Sequence, residues 1–527
     1  PGARGWIAWI ILSSAIFDRF GMGWSEAYTG DPATLTPEAA LKWAMGADTP
    51  EQALSRWMNR IRQGQGVTGS RPDLNPERMA PKLTQLPPGP GPNPNYSPQT
   101  YRITAELDAA KGMVSGEMHL TWQNGEAIPL DALYFNVWAN AERHRMYGGF
   151  SQIEGVTVDG KPATFVAKGI DLKVELGRTV QPGEKAEVTV RFATHLTGNQ
   201  TYGLALTDGK RFTLSQFYPI LGVLDDRGWN LHALSYTGGD PYSERADYQV
   251  NLTVPAGFLV GGAGRQTARV ENAKTWTYSY DAPGVPAWSA VGGLDWMESK
   301  VTVDSTSVRL LGPLPAWHEQ VKAAAAESLR FLQQQLGAFP YPELVVVHGT
   351  LKLPGIASAG DVDAQGVYKN GLANSLASQW FGAYVGNDQW TEAWLDEGLA
   401  KYMEHEAARA MGRGQLTFGV RQSDRPRDGR VTQNGMAFLM TRNHDLMGGE
   451  YGAIFFEALE ERIGSAAMNG LLRQWLGEYG GRTATGADLV RLAEATAGPL
   501  EPFRKEYAVD VNDRRPYEPV PVLGYDE

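Results

Sequence analysis

The residues best suited to chemistry lie in one stretch, Leu372 to Glu406, LANSLASQWFGAYVGNDQWTEAWLDEGLAKYMEHE. Asn374 and Ser378 are four positions apart, which on a helix places both on one face, with Ser375 beside the first. Eighteen residues then separate Ser378 from Glu397. Two side chains at i and i+4 and a carboxylate on a second helix form the layout of a metal clamp, provided that the pair are imidazoles. Asn374 and Ser378 offer an amide oxygen and a hydroxyl, which are poor partners for zinc. Ser375 cannot act as a general base near neutral pH. Glu397 is therefore the one strong ligand of the set.

No other residues supply the missing chemistry. The chain has eight histidines, no two of them three to five residues apart, so no local two-histidine clamp can be written. His405, between Glu404 and Glu406, reads as part of a solvated helix face. With no cysteine there is no thiolate site, and the segment from Gly355 to Gly360 around Ser358 has the wrong spacing for a serine nucleophile elbow.

Two helices must position these groups. Leu372, Leu376, Trp380, Phe381 and Tyr384 recur at helical spacing and predict the first. Trp390, Trp394, Leu395, Leu399 and Tyr402 predict the second, after the turn-like Gly386-Asn387-Asp388.

The rest of the chain is too long for one core. With 527 residues, two or three domains are expected; 42% hydrophobic and 20% charged residues indicate a globular chain. A net charge of −11 argues against a nucleic-acid partner. The apolar run at 6–17, WIAWIILSSAIF, is shorter than the roughly 20 residues needed to cross a bilayer. It reads as a signal-peptide core, the remnant of a membrane anchor, or a buried helix. Helices at 36–45 and 49–62 complete an N-terminal helical extension over 1–85, and the Pro/Gly-rich LPPGPGPNPNYSP at 86–98 forms a linker. From 99 to 313 the hydrophobic period is two, as in Leu172, Val174 and Leu176, in Ala186, Val188, Val190 and Phe192, and in Tyr248, Val250, Leu252 and Val254. This predicts a β-sandwich-like domain, with Pro182-Gly183-Glu184-Lys185 as a hairpin turn. A mainly helical domain is expected over 314–510, with helices at 316–336, 450–463, 465–479 and 486–497 and a strand at Leu344–His348. A Pro-rich acidic tail follows at 511–527.

Gln379-Trp380-Phe381-Gly382 and Trp394-Leu395-Asp396-Glu397-Gly398-Leu399-Ala400-Lys401-Tyr402 resemble two phrases of the gluzincin aminopeptidases, the zinc family that includes alanyl aminopeptidase and leukotriene hydrolase. Gly337 to Pro342 is similar to a third phrase. The resemblance covers about residues 100–510 and is most specific over 379–402. It implies an α+β multidomain chain: a β-rich domain followed by a thermolysin-like, mainly α domain. Where the family has its zinc histidines and general base, this chain has Asn374, Ser378 and Ser375. Lys352 stands where a glutamate grips the substrate's amino group, with Ser358 as the other candidate, and Gly449 at the place of the oxyanion-stabilising tyrosine, with Tyr451 as the alternative.

The expectation is thus a catalytically inactive family member with no zinc or other cofactor and a residual cleft formed by Glu397, Asn374, Ser378, Lys352 and Tyr451. Such a protein would serve as a binding, scaffolding or assembly subunit. Protein partners are expected, with membrane contact through 6–17 and a membrane-associated or extracytoplasmic location, a cytoplasmic one remaining open. The rival readings are a zinc-independent hydrolase or residual metallopeptidase using the same cleft, and an envelope subunit whose decisive part is the N-terminal extension. Without a metal, Glu397 needs other compensation. A hydrogen bond from Asn374 or Ser378 is expected, with Lys352 approaching from the other side.

Overall fold

Alternating apolar residues build the first half of the molecule. The computed structural model describes residues 99–145, 147–198, 203–225, 228–231, 242–360, 371–412, 420–422, 431–432 and 445–511. The apolar run, both early helices, the linker and the tail after Val511 lie outside the described residues.

The protein is α+β, with a β-rich part followed by a mainly helical part. An eight-stranded sheet has the spatial order Arg265–Glu271, Thr275–Val285, Ala246–Pro255, Gln99–Asp108, Met113–Gln123, Lys185–His195, Phe150–Val158, Lys161–Pro162. Its neighbours are antiparallel except Gln99–Asp108 and Ala246–Pro255, which run parallel. Inward residues alternate along each strand: Tyr101, Ile103, Ala105 and Leu107 are buried, as are Tyr248, Val250, Leu252 and Val254. The Tyr101 and Tyr248 rings stack with centroids 4.7 Å apart, and the Leu221 amide donates to the Tyr101 hydroxyl at 3.1 Å. A large buried aromatic with a satisfied polar tip fixes register as well as burying area.

A four-stranded sheet of Ile220–Leu221, Leu130–Asn136, Asp171–Val180 and Phe165–Lys168 contacts the larger one. Here one expectation fails. The turn at Pro182 to Lys185 does not close a hairpin; it carries the chain from Asp171–Val180 in the small sheet to Lys185–His195 in the large one. Turn residues specify a reversal, whereas which sheet each strand joins is decided by the faces that must be buried.

A further sheet, Met297–Val303, Thr306–Gly312, Glu343–His348 and Ile356–Ala359, underlies the helical part. The boundary expected at residue 313 falls inside it, because Ser307 to Leu311 pairs in parallel with Glu343 to Val347. The crossover is the helix Pro315–Leu336, which starts with proline in its first turn and stops at Gly337, φ 100°. Its buried stripe includes Val321, Ala325, Leu329 and Leu332, and it packs on both the Met297–Val303 strand and the helix Leu372–Ala377. Arg245, just ahead of strand Ala246–Pro255, ties the β-rich part to the site. Its guanidinium donates to the carbonyls of Gly382, Ala383 and Ser243.

Candidate functional site: a cleft closed by its own side chains

The first site helix is shorter than the apolar spacing predicts. It spans only Leu372–Ala377, and Trp380, Phe381 and Tyr384 lie in the turns that follow. Two side chains bond back to carbonyls of this helix at its end. Ser378 Oγ donates to the carbonyl of Asn374 at 2.9 Å, and Gln379 Nε2 donates to the carbonyl of Ser375 at 3.2 Å. Such bonds compete with helix propagation, and Gly382, at φ 91°, completes the turn.

The second element is equally irregular. Asp388 caps a single turn, Gln389–Glu392, by accepting from the Trp390 amide at 3.1 Å. A π-helical turn, Trp394–Gly398, then carries Glu397, and the regular helix Leu399–Ala410 follows. A second π-helical segment, Asp445–Tyr451, faces the first across glycines. A Cβ on Gly398 would lie 3.0 Å from the Gly448 oxygen and 3.0 Å from the Gly452 Cα, so any side chain here would press on backbone of the facing segment. Single π turns are rare and often mark functional sites.

These elements bring together Lys352, Asn374 and Glu397. Lys352 Nζ is 2.5 Å from Glu397 Oε2 and donates to Asn374 Oδ1 at 3.3 Å. Both charged side chains are partly shielded, with 30% and 21% of their surface exposed. The expected bond from Asn374 or Ser378 to Glu397 is not made. Ser378 spends its hydroxyl on its own helix, and the ammonium, the stronger partner for a carboxylate, takes Glu397. One helical turn beyond Glu397, Lys401 pairs with Glu404 at 3.1 Å and Glu450 at 3.5 Å. Burial opposes charge on Lys401, but these carboxylates outweigh it and raise its pKa.

The other expected positions separate from this centre. Ser375 is 1% exposed and accepts the Ser358 amide at 2.9 Å. A Cβ on Gly449 would meet nothing within 4 Å, so that position offers open space and no hydroxyl. Tyr451 is 1% exposed and packed in the core. His405 is 3% exposed, contrary to the solvated face expected of it; burial pushes its pKa down to about 4, helped by Lys401 and Arg409. Its acidic neighbours are adjacent in sequence and so point to other faces of the helix.

Gln379, Lys401 and Glu450 went unrecognised in the sequence. Gln379 stood in plain view inside the QWFG phrase, where it read as scaffold. Its side chain accepts from the Gly355 amide at 2.7 Å and donates to the Leu353 carbonyl at 3.2 Å, so it pins the segment that carries Lys352.

Residues 363–507 match the peptidase family M1 domain. No curated protein matches the chain. Similar solved structures include a two-domain M1 zinc metallopeptidase variant bound to L-tryptophan, at TM-score 0.60 and 20% identity over 80% of this chain and 96% of that one. The M1 zinc metallopeptidase from Deinococcus radiodurans gives TM-score 0.58 and 20% identity, over 80% and 96%. A variant of the Deinococcus radiodurans protein bound to a Tyr-Ser-Ala substrate gives TM-score 0.60 and 20% identity, over 81% and 96%.

The described residues do not fit the zinc ion of these metallopeptidases. Among them no group of three His, Cys, Asp or Glu side chains could hold a metal. The Glu397 carboxylate is already paired with an ammonium, whose charge would repel a dication. In its two-part fold the chain is nonetheless similar to the two-domain M1 zinc metallopeptidases, and its residues 363–507 match the peptidase family M1 domain.

Proposed function

We propose that this chain is a non-catalytic aminopeptidase-like protein that works as a binding, scaffolding or assembly subunit. The reading rests on one observation: the Lys352 ammonium sits on Glu397. A metallopeptidase cleft needs that carboxylate free for a cation and needs a negative charge near the substrate's amino group. Here an internal cation occupies that carboxylate and, by its charge, opposes a second cation and the substrate's amino group alike. Partner contact, and association with a membrane or an extracytoplasmic location, are assigned to residues 1–85 with their apolar run at 6–17.

Elemental mass spectrometry of the purified protein is expected to give far less than one zinc per chain. Aminoacyl fluorogenic substrates should be cleaved no faster by wild type than by Glu397→Ala. Stoichiometric zinc that resists mild chelation, together with turnover abolished by Glu397→Ala, would refute the reading. Deleting residues 1–85 should abolish co-purification with partner chains or membranes; unchanged association would move the contact elsewhere.

A further inference from the structure

The edge strand of a sheet offers a row of outward N–H and C=O groups on which an extended peptide can add as a further strand. Ile356–Ala359 is the edge of its sheet, and it runs beside the site helix. Three of its outward groups, the amide and carbonyl of Ile356 and the amide of Ser358, are already engaged. The Ile356 amide donates to the Leu353 carbonyl at 2.9 Å, and the Leu353 amide donates back to Ile356 at 3.1 Å. The Ser358 amide donates to Ser375 Oγ at 2.9 Å, and just upstream the Gly355 amide donates to Gln379 Oε1 at 2.7 Å. Leu353, Ile356, Ser358, Ser375 and Gln379 are all buried.

We infer that the cleft is occupied by its own chain. The Ser375 hydroxyl and the Gln379 amide fill the hydrogen-bonding positions that an extended peptide backbone would use, and the Lys352 ammonium fills the place at Glu397 that a peptide's amino group would take. Ser375 and Gln379 are positioning residues of this closure. The inference rests on the reading of the protein as non-catalytic and adds to it that extended peptides are excluded from the cleft. A peptide entering here would exchange existing bonds for similar ones and gain little, while losing its own translational and conformational freedom.

Hydrogen exchange on the full-length protein tests the closure. In wild type the Ser358 amide should exchange as slowly as the interior amides of Val346 and Val347. Ser375→Ala should accelerate it about tenfold while leaving those two unchanged, as expected for loss of one bond to a buried amide. Calorimetry with Ala-Phe-Ala amide tests occupancy. Wild type should show no binding, whereas a Lys352→Ala/Ser375→Ala double variant should bind it, and bind its N-acetylated form about tenfold more weakly, since Glu397 is then free to pair with an α-ammonium.

A Ser358 amide in wild type that exchanges like an open edge, or one indifferent to Ser375→Ala, overturns the inference. So does a folded double variant that gains no binding. If the double variant fails to fold, wild type decides alone: added free-amino peptide that slows exchange across residues 353–359 overturns the inference, and unchanged exchange supports it. Zinc content and turnover of wild type are measured separately, so failure of the non-catalytic reading is distinguishable from failure of the closure.

Discussion

Replacing Lys352 with methionine keeps most of the apolar stem and removes the charge that sits on Glu397. At 2.5 Å the pair has a gross Coulomb attraction of about 6–7 kcal/mol at an effective dielectric of about 20. Dehydrating both groups and ordering the lysine stem, the latter worth up to about 2 kcal/mol, offset most of it. Side-chain exposures of 30% and 21% place the pair between surface pairs, at about 0.2–1 kcal/mol, and fully buried ones. A net coupling of about 1–2 kcal/mol is expected. The assay is a double-mutant cycle in denaturant with Lys352→Met, Glu397→Gln and both together, followed by a probe in the helical part. Each single change should destabilise, and the double should cost less than their sum. A coupling below about 0.3 kcal/mol would show that the ammonium does not hold the cleft together, and the functional proposal would lose its main support.

Three other outcomes follow from the packing. An unfolded histidine takes up its proton near pH 6.5 and His405 only near 4, so stability present above 6.5 is lost as pH falls toward 4; about 2–3 kcal/mol is at stake, and His405→Gln should flatten that part of a stability-versus-pH curve. Burial pushes Asp171 up to about 7, against a modest opposing effect of Lys168; its contribution is fully present only below the unfolded value of 3.8 and is lost as pH rises from there through 7, so Asp171→Asn should raise Tm at pH 8 and do little below pH 4. Gly398→Ala should destabilise by about 1–3 kcal/mol, because the new methyl meets backbone atoms 3.0 Å away that cannot rotate aside; a neutral result would show that the facing π segment yields easily.

How much the sequence revealed depended on the range of the interaction. The helix Pro315–Leu336 and the strands around Leu172, Val188 and Val250 were readable because local periodicity and burial agree there. The first site helix was over-extended because Trp380, Phe381 and Tyr384 keep a helical spacing while serine and glutamine side chains bond back to carbonyls at the end of the helix. The hairpin at Pro182 was misread because turn chemistry carries no information about sheet membership. Lys352 and Glu397 are 45 residues apart, and only the family phrases suggested that they meet. The edge closure was invisible: Ser375 reads as a lost functional group until the Ser358 amide is seen to need it.

The π turn at Trp394–Gly398 has a consequence for how this site can drift. Successive residues of a helix are offset by about 100° around its axis, so deleting one residue anywhere in that turn would swing Glu397 off the line to Lys352. Substitutions that keep the close approach of Gly398 to Gly448 and Gly452 leave that geometry in place, since an extra residue in the turn is a matter of count. The aim of residue 397 is therefore written in the length of the segment. Relatives that retain the length should keep a carboxylate-sized group pointing into the cleft whatever faces it, and a relative one residue shorter there should have abandoned the contact altogether.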